Sequence, residues 1–467
     1  MPILGSAEAS GHEGGGSEVA MQEVHARNEL IAAQESLLNV YRCRFDVDTQ
    51  IVPGGCEEGM PVQGPIAPDS FDGPPTPGDV SVRDGLIAAQ EALLNDYRCL
   101  FRIDMSIVPG GCHRLAVVSN GAIWTMNGDG TDLVELVAAL DPEEDDEYSH
   151  SSIWDISWSP DGKRIAYSLS LINQGHSVRS QLWIISSDGD DHTLVHDTGE
   201  HEHGWLHHIT WSPSGSQLYY VARCCALQPD GDSYRLSRIG ADGTNMTSLA
   251  NAASYSWSPD HSQIVFRKLV ERASSDGGTY MTSQLWVMDA SGGGQRKIRD
   301  DGASFGPVWS PDGSGIAIET ISVDSSGGRS KELSVFNAEG GFRRLLDNIP
   351  YELAHPNDSR KIGFSWSPGG DQIAYVDYRD SEDILTLVGV DGSSKLHLSP
   401  LGRATSFPVW SLDGTRIAFA PGEAEPYKDG IATKGGGLFT ISPEGTNLRR
   451  LTPKDWRISE IAWSPTR

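Results

Sequence analysis

A tryptophan followed by serine recurs along most of the chain and organises its hydrophobic pattern, with gaps of 44 to 57 residues between copies. These pairs begin at Trp158, Trp211, Trp257, Trp309, Trp366, Trp410 and Trp463. After the first six, an aliphatic residue follows at a fixed offset of seven positions: Ile165, Leu218, Ile264, Ile316, Ile373 and Ile417. The segments around these aliphatic residues, such as RIAYS, QLYYV and QIAYV, alternate or run apolar, which is typical of half-buried β-strands.

Turn residues separate these strands in every copy. SPDG or a variant of it follows each tryptophan, and its proline and glycine favour a tight hairpin. The offset is fixed because one added residue would turn the next strand's side chains to the wrong face. A third strand such as AIWTMN or QLWVMD, a second turn such as GDGT, and a shorter fourth strand complete each unit. Four strands per unit and seven units, with no helical pattern between them, predict an all-β fold, a β-propeller of seven rather than six four-stranded blades.

The two ends of the repeat region complement each other. The last copy, Trp463–Arg467, has no second strand, and the first segment, which begins at His113, has no Trp–Ser strand before it. We therefore expect Ile461–Trp463 to pair with Leu115–Ser119 and close the ring, which removes the open sheet edges. Turn formation and core packing explain each WSPDG copy without a catalytic role.

The phrases WSPDGKRIAY (residues 158–167) and QLWVMDASGG resemble the repeats of the TolB-like propellers, a WD40-like repeat family of bacterial envelope proteins. The resemblance covers roughly residues 113–467. It implies a propeller fold and a tendency to bind proteins or small ligands. TolB itself pairs a six-bladed propeller with an α/β domain, so this chain departs from it in blade count and in its N-terminal region.

The region before the propeller contains a duplication. Residues 27–56 and 83–112 are near copies, and each predicts a short helix followed by a strand that ends at Pro-Gly-Gly-Cys. We name them cassette 1 and cassette 2. A Pro/Gly-rich linker, residues 57–82, separates them, and residues 1–26 are expected to be disordered. Cassette 2 leads directly into the propeller, residues 113–467.

Each cassette carries two cysteines at the same spacing, Cys43 with Cys56 and Cys99 with Cys112. One disulfide within each cassette is one interpretation, and it suits an oxidising compartment. A shared Cys₄ zinc site is the alternative, although no C-x-x-C pair is present. The disulfide interpretation predicts a periplasmic or extracellular protein, while no signal peptide is visible at the start of this sequence.

The amino-acid composition disfavours nucleic acid as a partner and predicts no membrane span. With 36 Lys and Arg against 64 Asp and Glu, the formal net charge is −28, which repels phosphate backbones and disfavours nucleic acid as a partner. No apolar run approaches the roughly 20 residues that span a bilayer, so no membrane span is expected.

Two short motifs suggest chemistry that their context does not support. GASFG, residues 302–306, matches the G-x-S-x-G pattern of serine hydrolases, but it precedes a predicted inner strand rather than a helix. The turn Asn127–Asp132 is rich in acidic residues, but Thr125 occupies the first ligand position of a calcium loop. Turn chemistry explains these residues.

A histidine-rich stretch, GEHEHGWLHHITW at residues 199–211, is the remaining chemical signal. His201, His203 and His207, with Glu200, form a candidate site for a divalent metal ion, since imidazole and carboxylate suit zinc, manganese or nickel. Propeller geometry places this loop on the same face as the acidic loop 141–150. The alternative is a solvated polar loop, because the spacing matches no named ligand pattern.

These observations lead to two functional hypotheses. The first is a non-enzymatic binding propeller, without a cofactor, whose loop face or central funnel engages a protein or glycan. The second is a metal-dependent enzyme of the kind seen among TolB-like folds, such as the oligogalacturonide lyases, which would use the histidine loop. Fold alone does not decide between them.

Overall fold

The structure is a computed structural model, and the description below covers residues 113–139, 150–173, 176–199, 205–223, 234–273, 278–323, 329–337, 339–341, 343–350, 363–379, 382–402, 407–427 and 430–465. All regular structure within these ranges is β-strand. Both cassettes, the linker and residues 1–26 lie outside the described residues, and so do their cysteines. The described ranges contain no helix that is long and apolar enough to cross a membrane.

Seven four-stranded antiparallel sheets form the blades of a propeller, as the repeat pattern predicts. The strands of blade 1 are β1 (Arg114–Ser119), β2 (Ala122–Asn127), β3 (Val134–Val137) and the last of the described strands, β29 (Ile458–Trp463). Those of blade 2 are β4 (His150–Trp158), β5 (Arg164–Asn173), β6 (His176–Ser186) and β7 (His192–Asp197). Those of blade 3 are β8 (Trp205–Trp211), β9 (Gln217–Arg223), β10 (Tyr234–Gly240) and β11 (Thr247–Ala250).

Blades 4 and 5 share one long strand. Blade 4 contains β12 (Ser254–Trp257), β13 (Gln263–Ala273), β14 (Thr279–Asp289) and the first part of β15 (Arg296–Trp309). Blade 5 contains the second part of β15 with β16 (Gly315–Val323), β17 (Arg329–Asn337) and β18 (Arg343–Pro350). The outer strand of one blade therefore continues into the inner strand of the next without leaving β-conformation.

Blades 6 and 7 are joined by an inserted hairpin. Blade 6 contains β19 (Phe364–Trp366), β20 (Gln372–Arg379), β21 (Glu382–Gly389) and β22 (Lys395–Gly402). Blade 7 contains β23 (Val409–Trp410), β24 (Ile417–Phe419), β27 (Phe439–Ile441) and β28 (Arg449–Arg450). The hairpin, β25 (Gly422–Tyr427) and β26 (Gly430–Gly435), comes from blade 7 but pairs with β22 of blade 6 through Gly402 and Gly422.

The fixed offset of seven residues is a cross-strand pairing. Each repeated tryptophan lies directly opposite the aliphatic residue seven positions later, as Trp158 does with Ile165 and Trp211 with Leu218. In blade 1 the place of that aliphatic residue is taken by Leu115, which pairs with Trp463. The predicted ring closure by the two ends of the propeller region is therefore confirmed.

The core consists of apolar layers between neighbouring blades rather than one central mass. Ile165 and Tyr167 of β5 pack toward blade 1, while Ala166, between them, packs toward blade 3. Successive side chains of a strand point to opposite faces, and both faces of a propeller blade are covered. Burial of both faces explains why the second strands read as nearly continuous apolar runs.

The indole N–H groups of the repeated tryptophans also join the blades. Trp158 donates to the carbonyl of Ala462, at 3.1 Å, and Trp211 donates to the carbonyl of Ser157, at 3.0 Å. In each case the acceptor belongs to the residue before the tryptophan of the preceding blade. The same position accepts the N–H of the other three tryptophans for which the structure describes such a bond: Trp257, Trp366 and Trp463.

Antiparallel pairing gives every blade two ends. At the turn end lie the hairpins between first and second strands and between third and fourth strands. At the loop end lie the connections between second and third strands and between successive blades.

Candidate functional site

Part of the predicted histidine site is described by the structure. His207 lies in β8, and its half-buried ring contacts the ring of His208, with centroids 4.8 Å apart. Glu200, His201, His203 and the acidic loop 141–149 lie outside the described residues. Among the described ranges, no three His, Cys, Asp or Glu side chains lie close enough to hold a metal ion. The metal site stays a prediction.

The two sequence motifs with apparent chemistry lie in regular structure. Ser304 lies within β15 and pairs with Thr320 of β16, so GASFG is part of a strand and not a strand-to-helix turn. In the acidic turn, Asp129 Oδ1 accepts hydrogen bonds from the backbone N–H of Thr131, at 2.9 Å, and from its hydroxyl, at 2.7 Å. These contacts agree with the interpretation of both stretches as structural.

Bulges interrupt the inner strands of blades 2 and 3 toward the loop end. In β4 the pairing with β5 shifts between Ile153 and Asp155, which leaves Trp154 as the extra residue. In β8 the pairing with β9 shifts between His207 and Thr210. A bulge leaves a residue unpaired and redirects its side chain, so both strands present side chains that a regular ladder would not.

A hydrogen bond between the two bulges links blade 2 to blade 3. Asp155 Oδ2 accepts the backbone N–H of Ile209 at 3.0 Å. Ile209 lies within the bulge of β8, where its N–H has no regular ladder partner. The carboxylate therefore satisfies a backbone donor that the bulge has released.

The bulge of β8 is fixed on its other side by blade 4. His208 adopts a φ of 53°, an uncommon left-handed conformation, and its carbonyl accepts the hydroxyl of Tyr255 at 2.8 Å. Thr210 Oγ1 lies 2.8 Å from the same hydroxyl and accepts the indole N–H of Trp257 at 3.1 Å. Burial raises the pKa of Tyr255, which keeps the hydroxyl protonated as a donor. Strained backbone of this kind persists where its surroundings fix it.

Four side chains form a continuous row at the loop end of blades 2 and 3: Trp154, Trp205, Arg223 and Tyr234. We call this set the aromatic row. Trp205 and Tyr234 both pair directly with Arg223, one on each side, so all three side chains lie on one face of blade 3. Trp154 of blade 2 stacks on Trp205, with centroids 4.9 Å apart and ring planes 16° apart.

The arginine of the row is held between two rings. The guanidinium carbon of Arg223 lies 5.7 Å from the ring centroid of Trp205 and 5.6 Å from that of Tyr234. Both distances are within the range of cation–π attraction. The ring of His207 contacts Tyr234 edge-on, with centroids 6.0 Å apart, so the histidine stretch and the aromatic row are contiguous.

Sequence reasoning missed the aromatic row, although one signal was available. Trp154 and Trp205 are not among the repeated Trp–Ser pairs, so the repeat pattern does not explain why tryptophan occurs at these positions. The sequence gives no comparable indication for Arg223 and Tyr234. They become neighbours of Trp205 only through the pairing register of β8, β9 and β10.

A second polar cluster joins blades 5 and 6. Lys395 Nζ lies 2.6 Å from Asp347 Oδ2 and 2.9 Å from Asp377 Oδ2, and Asp377 is fully buried. Burial opposes ionisation of Asp347, but hydrogen bonds from Lys395 and Tyr375 outweigh it and hold the pKa of Asp347 below its ordinary value. This cluster stabilises the interface between the two blades.

Comparisons with known proteins agree with the fold. The TolB beta propeller domain matches residues 147–413. An uncharacterized peptidase of Bacillus subtilis, YuxL, is 26% identical over 28% of this chain and 18% of its own length. Dipeptidyl-peptidase 5 of Porphyromonas gingivalis is 22% identical over 68% of this chain and 43% of its own length.

One solved structure shows the same fold. Puromycin hydrolase superposes with a TM-score of 0.50 and 13% sequence identity, covering 73% of this chain and 52% of that chain. The chain thus spans about half or less of the length of each of these three proteins. The domain match covers more than half of the chain. With its repeat motifs and seven described blades, the chain belongs to the TolB beta propeller domain family.

Proposed function

We propose that this chain is a non-enzymatic binding propeller, located in the periplasm or outside the cell, that engages a protein or glycan at the loop end of blades 2 and 3. The observation that carries the proposal is the aromatic row. Binding sites are lined by aromatic side chains with a few polar groups of defined orientation, and the row combines three rings with one arginine.

The turn end offers a poorer binding surface. Its Ser and Asp side chains are engaged within their own turns, as in the bond from Ser258 Oγ to Asp260 Oδ1 at 2.6 Å. The same bond recurs from Ser310 to Asp312 and from Ser411 to Asp413. Groups that already satisfy one another contribute little to ligand recognition, which favours the loop end.

Capture of partners from the envelope fraction of the native organism tests this proposal. The parent protein and a double variant, Trp154→Ala/Trp205→Ala, are immobilised in parallel. We expect at least one component to be retained by the parent and lost from the variant, while both proteins unfold at similar temperatures. Retention of nothing by the parent, or of the same components by both proteins, contradicts the proposal.

A metal-dependent enzyme is the second candidate, and the position of His207 favours it. Its ring lies at the loop end of β8, four residues after His203 in the sequence. His201 and His203 alternate with Glu202, so in an extended segment their side chains point to one side and can bind one ion, with Glu200 or His207 completing the set.

Calorimetry with Zn²⁺ and Mn²⁺ tests the metal site. We expect the parent to bind one ion, and His201→Ala/His203→Ala to bind at least tenfold more weakly. Binding should weaken below about pH 6, because the metal requires neutral imidazole. Equal, weak binding by both proteins at neutral pH would remove the site, and absence of turnover of polyuronides by the metal-loaded parent would remove the lyase activity.

A further inference from the structure

Arg223 is contacted by two aromatic rings, whereas three other described arginines each pair with a carboxylate. Arg272 pairs with Asp300 at 2.9 Å, Arg179 pairs with Asp197 at 2.5 Å, and Arg343 pairs with Glu332. Arg223 is exposed, and among the described residues its guanidinium meets two ring faces but no carboxylate or other acceptor.

The two rings order this arginine without using its hydrogen-bonding capacity. Cation–π attraction to both rings restricts the guanidinium and leaves its N–H donors free for a ligand. Two cross-strand pairings place the rings on either side of Arg223, so the position of the guanidinium is restricted before any ligand arrives. A ligand therefore loses less side-chain entropy on binding than it would with a free surface arginine.

A second donor belongs to the same row. The indole nitrogen of Trp154 is buried and has no hydrogen-bond acceptor among the described residues. Its ring stacks on Trp205, the same ring that the guanidinium of Arg223 meets. A buried donor without an acceptor costs free energy, so the row offers one hydrogen bond that the described residues do not themselves make.

These donors and rings define the ligand chemistry. A planar anion with two oxygens accepts a pair of parallel N–H bonds from one guanidinium, and a carboxylate fits that fork. Flanking indole and phenol rings suit an apolar group next to the carboxylate. The C-terminal residue of a peptide combines both features. A polyuronide carries a carboxylate on every ring, and a protein of net charge −28 repels such a polyanion more strongly than a single carboxylate.

We propose that the aromatic row binds the C-terminal carboxylate of a peptide, with Arg223 holding the carboxylate and the rings of Trp205 and Tyr234 contacting the last side chain. The proposal rests on the binding function proposed above and specifies its ligand. It assigns Arg223 the leading contribution to affinity.

Random octapeptides immobilised through their N-termini, one set with free and one with amidated C-termini, provide the probe. The proteins are the full-length parent, Arg223→Gln, Arg223→Lys and the control Arg235→Gln. Arg235 lies next to Tyr234 on β10, with its side chain on the opposite face of the blade. Thermal unfolding of each variant checks that it is folded.

We expect the parent and Arg235→Gln to select free-acid peptides, and amidation to weaken binding about tenfold or more, as loss of a charge-assisted bond does. Arg223→Gln should lose at least the same factor, and Arg223→Lys should be intermediate because it keeps the charge but not the fork. Equal binding of both peptide sets, equal binding by the parent and Arg223→Gln, or no peptide binding overturns the proposal.

Calorimetry of the parent with digalacturonate separates the two sources of carboxylate. Binding of the sugar acid together with absence of peptide binding assigns the row to a glycan and overturns the peptide proposal. Peptide binding that survives amidation and Arg223→Gln overturns this inference alone, since the chain would still be a binding propeller. Failure of the parent to retain any peptide, sugar acid or envelope component contradicts the binding function itself.

Discussion

A repeated tryptophan such as Trp158 contacts two partners that lie far apart in the sequence. Its ring is opposite an aliphatic residue of the next strand, as Trp158 is opposite Ile165, and its N–H donates to the preceding blade, as to Ala462. The first contact acts within seven residues, so the sequence alone reveals it. The second depends on ring closure and becomes visible only in the structure.

The serine after each tryptophan also has two roles, and blade 5 provides a test. Ser310 Oγ donates to Asp312 Oδ1 at 2.6 Å and accepts the backbone N–H of Gly315 at 2.9 Å. The hydroxyl of Ser310 lowers the pKa of Asp312. We expect Ser310→Ala to lower the free energy of unfolding by about 1–2 kcal/mol, measured by urea unfolding, because it leaves a buried backbone donor unsatisfied.

The pH dependence and a matched control complete this test. A carboxylate with a depressed pKa stabilises the fold above its usual pKa of 3.8 and loses that effect as the pH falls, so the effect of Ser310→Ala should decrease in acid. Ser212→Ala is the control, since Ser212 accepts the N–H of Gln217 at 3.0 Å but has Ser214 in place of the aspartate. Equal pH dependence of both variants would contradict the role of the carboxylate.

Lys395 compensates two carboxylates at the interface of blades 5 and 6. Removing one partner of a buried ionic cluster leaves uncompensated charge, which costs about 3–5 kcal/mol. We expect Lys395→Met to destabilise the protein by roughly that amount at pH 7, measured by urea unfolding. The loss should shrink as the pH is lowered through the depressed pKa of Asp347, because protonation removes the charge that Lys395 compensates.

Lys297→Met is the corresponding surface control. Lys297 lies 3.0 Å from Asp300, and the two side chains are 42% and 46% exposed. Exposed pairs contribute little because solvent screens them, so this variant should unfold close to the parent. A loss of equal size in both variants would show that burial does not set the contribution of Lys395.

Among the elements, β29 has the largest expected effect on the fold. It pairs with β1 from Leu115↔Trp463 to Ser119↔Ile458, and it covers Leu115 and Val117, which are fully buried. Deleting Ser459–Arg467 should expose both side chains and remove the contact between blades 1 and 7. We expect loss of cooperative thermal unfolding, or aggregation, in calorimetry and light scattering. A truncated protein that melts like the parent would contradict the closure.

The cassettes carry a prediction that lies outside the described residues. If each is closed by a disulfide, non-reducing peptide mapping will find Cys43 linked to Cys56 and Cys99 linked to Cys112. Each bridge closes a short loop and stabilises the cassette by about 3 kcal/mol on the chain-entropy model. Free thiols at all four positions, in protein isolated without reductant, would contradict both the bridges and the oxidising location.

The sequence predicts the strands of the blades well, because apolar runs between turn residues recur with a fixed offset. It does not predict the bulges at Trp154 and His208, since a bulge depends on which residues of the partner strand lie opposite. Nor does it predict that β25 pairs with β22 of another blade, because that contact depends on how adjacent blades are placed. The candidate site is missed for the same reason.

At the scale of the whole molecule, apolar layers between the seven described blades replace a single core. The apolar side chains of each blade are therefore buried by the adjacent blades. Blade 1 draws on both ends of the propeller region, and the aromatic row draws on two blades. Features formed within a single repeat can therefore be predicted from the sequence. Features that need two repeats, including the proposed binding site, become visible only when the ring is assembled.

The closure of blade 1 has a consequence for synthesis of the protein in the cell. Among the described strands, β1 is translated first and its partner β29 last. At about 5–20 residues per second, roughly 20 to 70 s pass between the synthesis of Ser119 and that of Ile458. During that time the apolar strand β1 has an unpaired edge, which invites pairing with other chains. The nascent chain is therefore open to aggregation through this edge until β29 leaves the ribosome.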